Sequence, residues 1–163
     1  MKIMENKFSE GMDRVLRHSR LEANRLKSEF LNTEHFLLGI IGTENSARNI
    51  LEALKADLVQ IRRKIENISI NNNFNSNPDR SIMPTKLAEY SLKRASLESK
   101  QYRSDEVNTI HLLLGILYKI DDPTTHILEA YDIDYESVAA EYRAMLAILY
   151  KIDDPTTHIL EAY

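Results

Sequence analysis

The segment Thr33–Ile41, "TEHFLLGII", returns 76 residues later as "TIHLLLGIL" at Thr109–Leu117. No other feature restricts the fold of this chain as much, because a stretch repeated at long, constant spacing marks a repeated supersecondary unit. From Phe36 to Ile41 the first copy is apolar on almost every side of a helix, which places it in the middle of a bundle. "ILEAL" at Ile50–Leu54 is answered by "ILEAY" at Ile127–Tyr131, 77 residues on, so one residue has been inserted between the two marks.

The surroundings of each copy also correspond. Phe8, Met12, Val15, Leu16, Ala23 and Leu26 form one stripe of 3.6-residue period. Ser9 is a natural N-cap for that helix, and Glu10 suits its positive end. Thr33 reads as the cap of the second helix. Ala47, Ile50, Leu51 and Leu54 mark a third, and Asp57 caps a fourth carrying Leu58, Ile61, Ile65 and Ile68 on one face. "INNNFNSNPDRS", residues 70–81, has no period and contains Pro78, so it reads as a surface linker. Beyond it, a helix beginning near Pro84–Thr85 answers the one at Ser9, proline being tolerated in a first turn. Tyr135, Val138, Ala139, Tyr142, Met145 and Leu146 answer the fourth helix. The expected fold is therefore all-α. It has eight helices, a pseudo-two-fold duplication of a four-helix unit, with repeat one at 7–70, a linker at 71–82 and repeat two at 83–147.

A second repetition is of a different kind. "ILYKIDDPTTHILEAY" stands at Ile116–Tyr131 and again, unchanged, at Ile148–Tyr163. In the first copy Ile116–Ile120 ends the buried helix, Asp121–Pro123 turns the chain, and Thr124–Tyr131 forms the next helix. The two-repeat unit is complete by about Leu146, so 148–163 has no vacant slot and is expected to lie outside the fold as a late duplication. The alternative is a tail whose Ile148, Leu149, Ile152, Ile159 and Leu160 cover a groove or exchange into a neighbouring molecule.

Composition limits the chemistry. The 163 residues are 43% hydrophobic, enough for one core or two small cores packed together. A formal net charge of −4 argues against a duplex nucleic-acid partner. Arg14, Arg17, Arg20, Arg25 and Lys27 scatter around a helix between Asp13, Glu22 and Glu29, as on a solvated face. Cysteine is absent, which excludes disulfides, thiolate metal sites and cysteine nucleophiles. No apolar run reaches membrane-spanning length and the N-terminus has no signal core, so the expected compartment is the cytoplasm, without a membrane partner. No G-x-x-x-x-G-K-[ST] motif occurs, and no cofactor is expected. His35 and His111 precede the buried helix in both repeats. A metal or catalytic role would need converging partners, and no H-E-x-x-H or nearby His/Asp cluster occurs. They read as structural histidines that hold a helix start.

Phe8-Ser9-Glu10, Glu22-Ala23, Thr33-Glu34-His35 and Leu37-Leu38-Gly39 together closely resemble the amino-terminal repeat domain of Clp-type Hsp100 ATPases, particularly the ClpC group. The resemblance covers about residues 7–146. It implies a module that is not itself an enzyme. Such a module docks substrate and adaptor proteins above an ATP-driven unfoldase ring, which feeds a Clp peptidase. In some members it implies recognition of phosphorylated arginine, through the hydroxyl opening each repeat's first helix and the glutamate of Thr-Glu-His. Here those positions hold Ser9 and Glu34 in repeat one, with Thr33 beside them, and Thr85 and Ile110 in repeat two. Isoleucine cannot accept a guanidinium hydrogen bond, so one competent site is expected, in repeat one. The plain reading is that Ser9 and Thr33 are caps and Glu34 a first-turn acid. A competing function is a free-standing two-repeat helical protein that modulates a protease complex without its own ATPase. An independent enzyme would need a catalytic constellation, which the sequence does not display.

Overall fold

Each repeat opens on a hydroxyl cap. In the computed structural model, which describes residues 6–71 and 82–153, Ser9 is extended (φ −67°, ψ 164°) and its side chain accepts the Met12 N–H to begin α1, Glu10–Arg25. Thr85, at φ −70° and ψ 168°, accepts the Ala88 N–H and begins α5, Lys86–Gln101. The helices between are α2 (Thr33–Gly42), α3 (Ser46–Ala53) and α4 (Leu58–Asn71). After α5 come α6 (Thr109–Leu117), α7 (Pro123–Glu129) and α8 (Tyr135–Asp153). The all-α duplication is the fold observed.

The duplication extends to backbone detail. Among the described residues, Lys27 (φ 55°) and Arg103 (φ 54°) take the left-handed conformation after α1 and α5. Lys55 (φ 62°) and Asp132 (φ 60°) do so after α3 and α7. Such residues close helices by satisfying their last carbonyls. Lys119 (φ 53°) has no counterpart. It sits in the stretch where the spacing between repeats changes from 76 to 77.

The central helices are α2 and α6, with Phe36, Leu37, Leu38, Leu112, Leu113 and Leu114 all fully buried. Each is pressed against the first helix of its own repeat at a glycine. A Cβ on Gly39 would lie 2.6 Å from the Val15 carbonyl oxygen, and one on Gly115 would lie 2.4 Å from that of Ser91. Only glycine lets these helix backbones approach so closely.

The two repeats are completed by each other. β1 (Lys7–Phe8) pairs in parallel with β2 (Glu106–Val107), and Leu31 bridges Pro84 in the same sense. The segment before α1 thus pairs with the one before α6, and the segment before α5 with the one before α2. The Ser9 N–H donates to the Val107 carbonyl at 3.0 Å, and the Thr85 N–H to that of Leu31 at 3.0 Å. The third helices cross over as well: α3 packs on α6 and α8, and α7 on α2 and α4.

α8 does not stop at Leu146 but continues through Asp153, the first six residues of the copied segment. The same six residues end a helix in the first copy, where α6 stops at Leu117 and Tyr118 turns to φ −77°, ψ 103°. Tertiary contacts account for the difference. The Arg94 guanidinium lies 3.5 Å from the centroid of the Tyr118 ring, Tyr135 meets that ring edge-on at 5.3 Å, and Ile120 is buried. At the second copy Ile148, Leu149 and Tyr150 are exposed. The rest of that copy, 154–163, and the linker from 72 to 81 lie outside the described residues.

Candidate docking site at the junction of the repeats

The start of α2 is capped by Asn32, one residue earlier than the sequence reading placed it. Asn32 is extended (φ −107°, ψ 169°), and Thr33 is already helical. Asparagine outranks threonine as a cap, and the hydroxyl of Thr33 is engaged elsewhere. Thr33 is buried; its Oγ1 donates to Asp122 Oδ2 at 2.8 Å and lies 3.2 Å from Thr124 Oγ1, both at the start of α7. Thr109 does the reciprocal work in repeat two, accepting the Ala47 N–H at 3.0 Å and meeting Ser46 Oγ at 3.1 Å. These threonines latch one repeat to the other.

His35 and His111 sit behind the caps. The Asn32 N–H donates to His35 Nδ1 at 2.9 Å, and the Asn108 N–H to His111 Nδ1 at 2.9 Å. With Nδ1 accepting, the neutral ring carries its proton on Nε2, which rules that nitrogen out as a metal ligand. His111 Nε2 lies 3.0 Å from the Tyr142 hydroxyl. In repeat one the position of Tyr142 is taken by Ile65, which has no hydroxyl, and His35 Nε2 has no hydrogen-bond partner. Both imidazoles are fully buried, and burial holds them far below the usual histidine value, at about 4. The 3.8 Å approach of His35 Nε2 to Glu34 is therefore not an ion pair at neutral pH.

Glu34 is the acid at this corner. Its side chain is 13% exposed. Burial raises its pKa and the nearby Asp122 carboxylate adds to that, against hydrogen bonding from Asn32 and Ser69. Asn32 Nδ2 reaches Glu34 Oε1 at 3.5 Å. Thr85 lies next to this corner, its backbone N–H bonded to Leu31, immediately before Asn32. Ser9 joins the other corner: it bonds Val107, and a Cβ on Gly11 would lie 3.8 Å from Thr109 Cγ2. There Ile110, 1% exposed, stands at the glutamate position. The crossing of the repeats therefore exchanges the partners that sequence order suggests. Thr85 is brought to the Asn32–Glu34 corner, and Ser9 to the Asn108–Ile110 corner.

Glu22, expected from the sequence on a solvated face, is instead buried, and Glu98, which the sequence analysis did not single out, is buried as well. Glu22, 5% exposed, accepts two bonds from Arg25 (2.9 and 2.7 Å) and one from Arg62 (2.9 Å). Burial pushes its carboxyl up, but the two guanidinium groups outweigh that and hold it low. Glu98, fully buried and 76 residues later, accepts from Arg94 (3.0 and 2.9 Å) and from the Tyr135 hydroxyl (2.7 Å). Burial first, and then this carboxylate, push the Tyr135 hydroxyl up to about 12. A charge recurring on the buried stripe of both first helices was the signal available.

Among the described residues no three His, Asp or Glu side chains gather to hold a metal, and no helix is long and apolar enough to cross a membrane. The surface near the Ser9 corner is partly apolar. Phe8, Glu89, Leu92, Lys93 and Ser96 line an open cavity of about 370 Å³, and Leu87, Tyr90 and Leu97 of α5 are exposed.

The model of the Clp repeat (R) N-terminal domain family matches residues 7–131. A probable ATP-dependent Clp protease ATP-binding subunit of Chlamydia pneumoniae is 31% identical over 143 residues, 85% of this chain and 16% of that protein. The chaperone protein ClpB of Oceanobacillus iheyensis is 28% identical over 127 residues, 77% and 15% respectively. This chain thus spans about a sixth of the length of the curated relatives it matches. The Hsp104 N-terminal domain of Candida albicans superimposes with a TM-score of 0.70 at 17% identity, covering 83% of this chain and 88% of that one. The N-terminal domain of the chaperone ClpD from Arabidopsis thaliana gives 0.67 at 16% identity, covering 86% and 95%. At such identities the solved structures speak for the fold alone.

Proposed function

The chain belongs to the Clp repeat (R) N-terminal domain family, and from that premise we propose that it docks substrate or adaptor proteins for a Clp-type ATPase. The finer part of the proposal is that it reads phosphorylated arginine at a single corner. The ATPase ring, its peptidase partner and a cytoplasmic setting belong to the same reading.

One observation supports the finer part: the crossing of the repeats bonds the backbone of Thr85, the hydroxyl cap of α5, to Leu31 on the segment that leads into Asn32 and Glu34. Thr85 Oγ1 accepts the Ala88 N–H at 3.1 Å, which leaves its own proton free to donate to a phosphate oxygen. The positive end of the 16-residue α5 adds to that attraction. Glu34 supplies the acceptor for the guanidinium, and an arriving cation offsets the cost of ionising a buried carboxyl. At the other corner Ile110 offers no acceptor, so one ligand binds per chain. The exposed apolar residues of α5, with Phe8, provide the surface on which a folded partner is held.

Calorimetric titration of the chain with free phosphoarginine tests this. The expected stoichiometry is one. Glu34→Gln weakens binding by about tenfold or more, on the scale of a charge-assisted hydrogen bond. Thr85→Ala weakens it by less, and Ser9→Ala leaves it unchanged. Loss on Ser9→Ala with none on Thr85→Ala would move the site to the other corner. No binding by the wild type would remove tag reading and leave general docking on α5.

A further inference from the structure

Two donors converge on one oxygen at the start of α6, and their counterparts converge on a different oxygen at the start of α2. In repeat two the oxygen is the Tyr142 hydroxyl, 3.0 Å from His111 Nε2 and 3.5 Å from Asn108 Nδ2. In repeat one it is Glu34 Oε1, 3.5 Å from Asn32 Nδ2 and 3.8 Å from His35 Nε2. The exchange is matched in the sequence. Where repeat two has Ile110 and Tyr142, repeat one has Glu34 and Ile65. Isoleucine at 65 thus withdraws a hydroxyl from the imidazole in the same repeat that gains a carboxylate beside it.

The imidazole is prepared for that carboxylate. His35 is fully buried, and the Asn32 N–H on its Nδ1 puts the ring proton on Nε2, the nitrogen nearest Glu34. Among the described residues Nε2 has no hydrogen-bond partner, and a buried donor left unmade is costly. Closing the gap to Glu34 by about 1 Å gives an ordinary N–H···O bond. Of the other groups around the pair, Asp122 of α7 opposes ionisation of Glu34, while Asn32 and Ser69 favour it. Glu22 of α1, the charge that acts on His35, is itself held by Arg25 and Arg62.

We propose that His35 is a positioning residue for Glu34: its Nε2–H takes hold of the ionised carboxylate from the buried side and fixes it for a cationic ligand. That the ligand is a guanidinium rests on the function proposed above, whereas the grip itself needs no ligand. A neutral donor suits the task. It stabilises the carboxylate without cancelling its charge, which is kept for the arriving cation. Burial keeps the ring neutral and so serves the same end.

NMR titration of the full chain, with 13C-labelled glutamate and 15N-labelled histidine, tests the grip in the absence of ligand. The His35 Nε2 resonance is expected to step at the midpoint of the Glu34 titration, and to show no such step in Glu34→Gln. His35→Asn keeps an acceptor for the Asn32 N–H but places nothing at Nε2. Glu34 should then titrate about one unit higher, and phosphoarginine should bind about tenfold more weakly. His111→Asn is the control: it loses the same ring behind the other cap and should leave the Glu34 titration where it is. No step in the wild type overturns the proposal, whether or not His35→Asn folds. An unchanged Glu34 midpoint in folded His35→Asn does so too, as does an equal rise in His111→Asn, since the histidine is then a helix support only. Failure of the wild type to bind phosphoarginine removes the guanidinium reading instead, and the titration still decides the grip.

Discussion

Replacing Gly115 by alanine tests how closely the repeats' helices are packed. The added methyl would sit 2.4 Å from the Ser91 carbonyl oxygen and 3.1 Å from the Ala95 nitrogen. Both obstacles are backbone on α5, so relief requires the two helices to move apart rather than a side chain to turn. Overpacking of this kind costs about 3 kcal/mol, the upper end of its usual range. Alanine's better helix propensity returns about 1 kcal/mol, which leaves a net loss of about 2 kcal/mol. For a domain of this size that is a fall in Tm of about 4–8 °C. Gly39→Ala should behave alike, since its methyl would meet the Val15 carbonyl oxygen at 2.6 Å. Gly42→Ala is the control: the obstacle at 2.4 Å is the tip of the His18 ring, whose side chain is 30% exposed and can swing away. That variant should stay within about 0.5 kcal/mol of the wild type. Thermal unfolding followed by circular dichroism measures all three. If Gly115→Ala melts with the wild type, the close approach of α5 and α6 is refuted, and with it the reason for glycine at that position.

Two further outcomes are expected. His35 and His111 are held at about 4 against an ordinary 6.5, so the unfolded chain binds more protons over that window. Their contribution to stability is complete above pH 6.5 and is lost as pH falls toward 4, at most about 3 kcal/mol for each ring. Urea unfolding at a series of pH values should show this fall, and a flat profile between pH 6.5 and 5 would contradict it. Thr33→Val leaves the buried Asp122 carboxylate without its 2.8 Å donor and should cost about 2 kcal/mol. Thr109→Val breaks bonds only to neutral groups and should cost about 1 kcal/mol, so equal losses in the two variants would count against the latch.

The helices were legible because their apolar residues are periodic and because each pattern occurs twice; a stripe such as Met12, Val15, Leu16 and Ala23 has one helical interpretation. What escaped depended on the neighbours of a residue far along the chain. Asn32 and Thr33 are both competent caps, and the choice turns on a carboxylate 89 positions away that claims the threonine hydroxyl. The assignment of Ser9 to Glu34 followed sequence order, whereas strand pairing exchanges the partners. The six residues shared by Ile116–Asp121 and Ile148–Asp153 make the same point without any difference in sequence: one copy ends a helix and the other continues one, because the Arg94–Tyr118 stack exists at only one of them.

The reciprocal pairing of the two halves makes each the complement of the other. Ser9 with Val107 and Thr85 with Leu31 are the contacts of a two-fold dimer written into a single polypeptide. A single half, carrying one such edge and one such third helix, would have a second copy of itself as its complement. Joining the halves in one chain turns such an encounter between molecules into a loop closure within one. Within a single chain the two corners need not be alike, and with Glu34 at one and Ile110 at the other they are not.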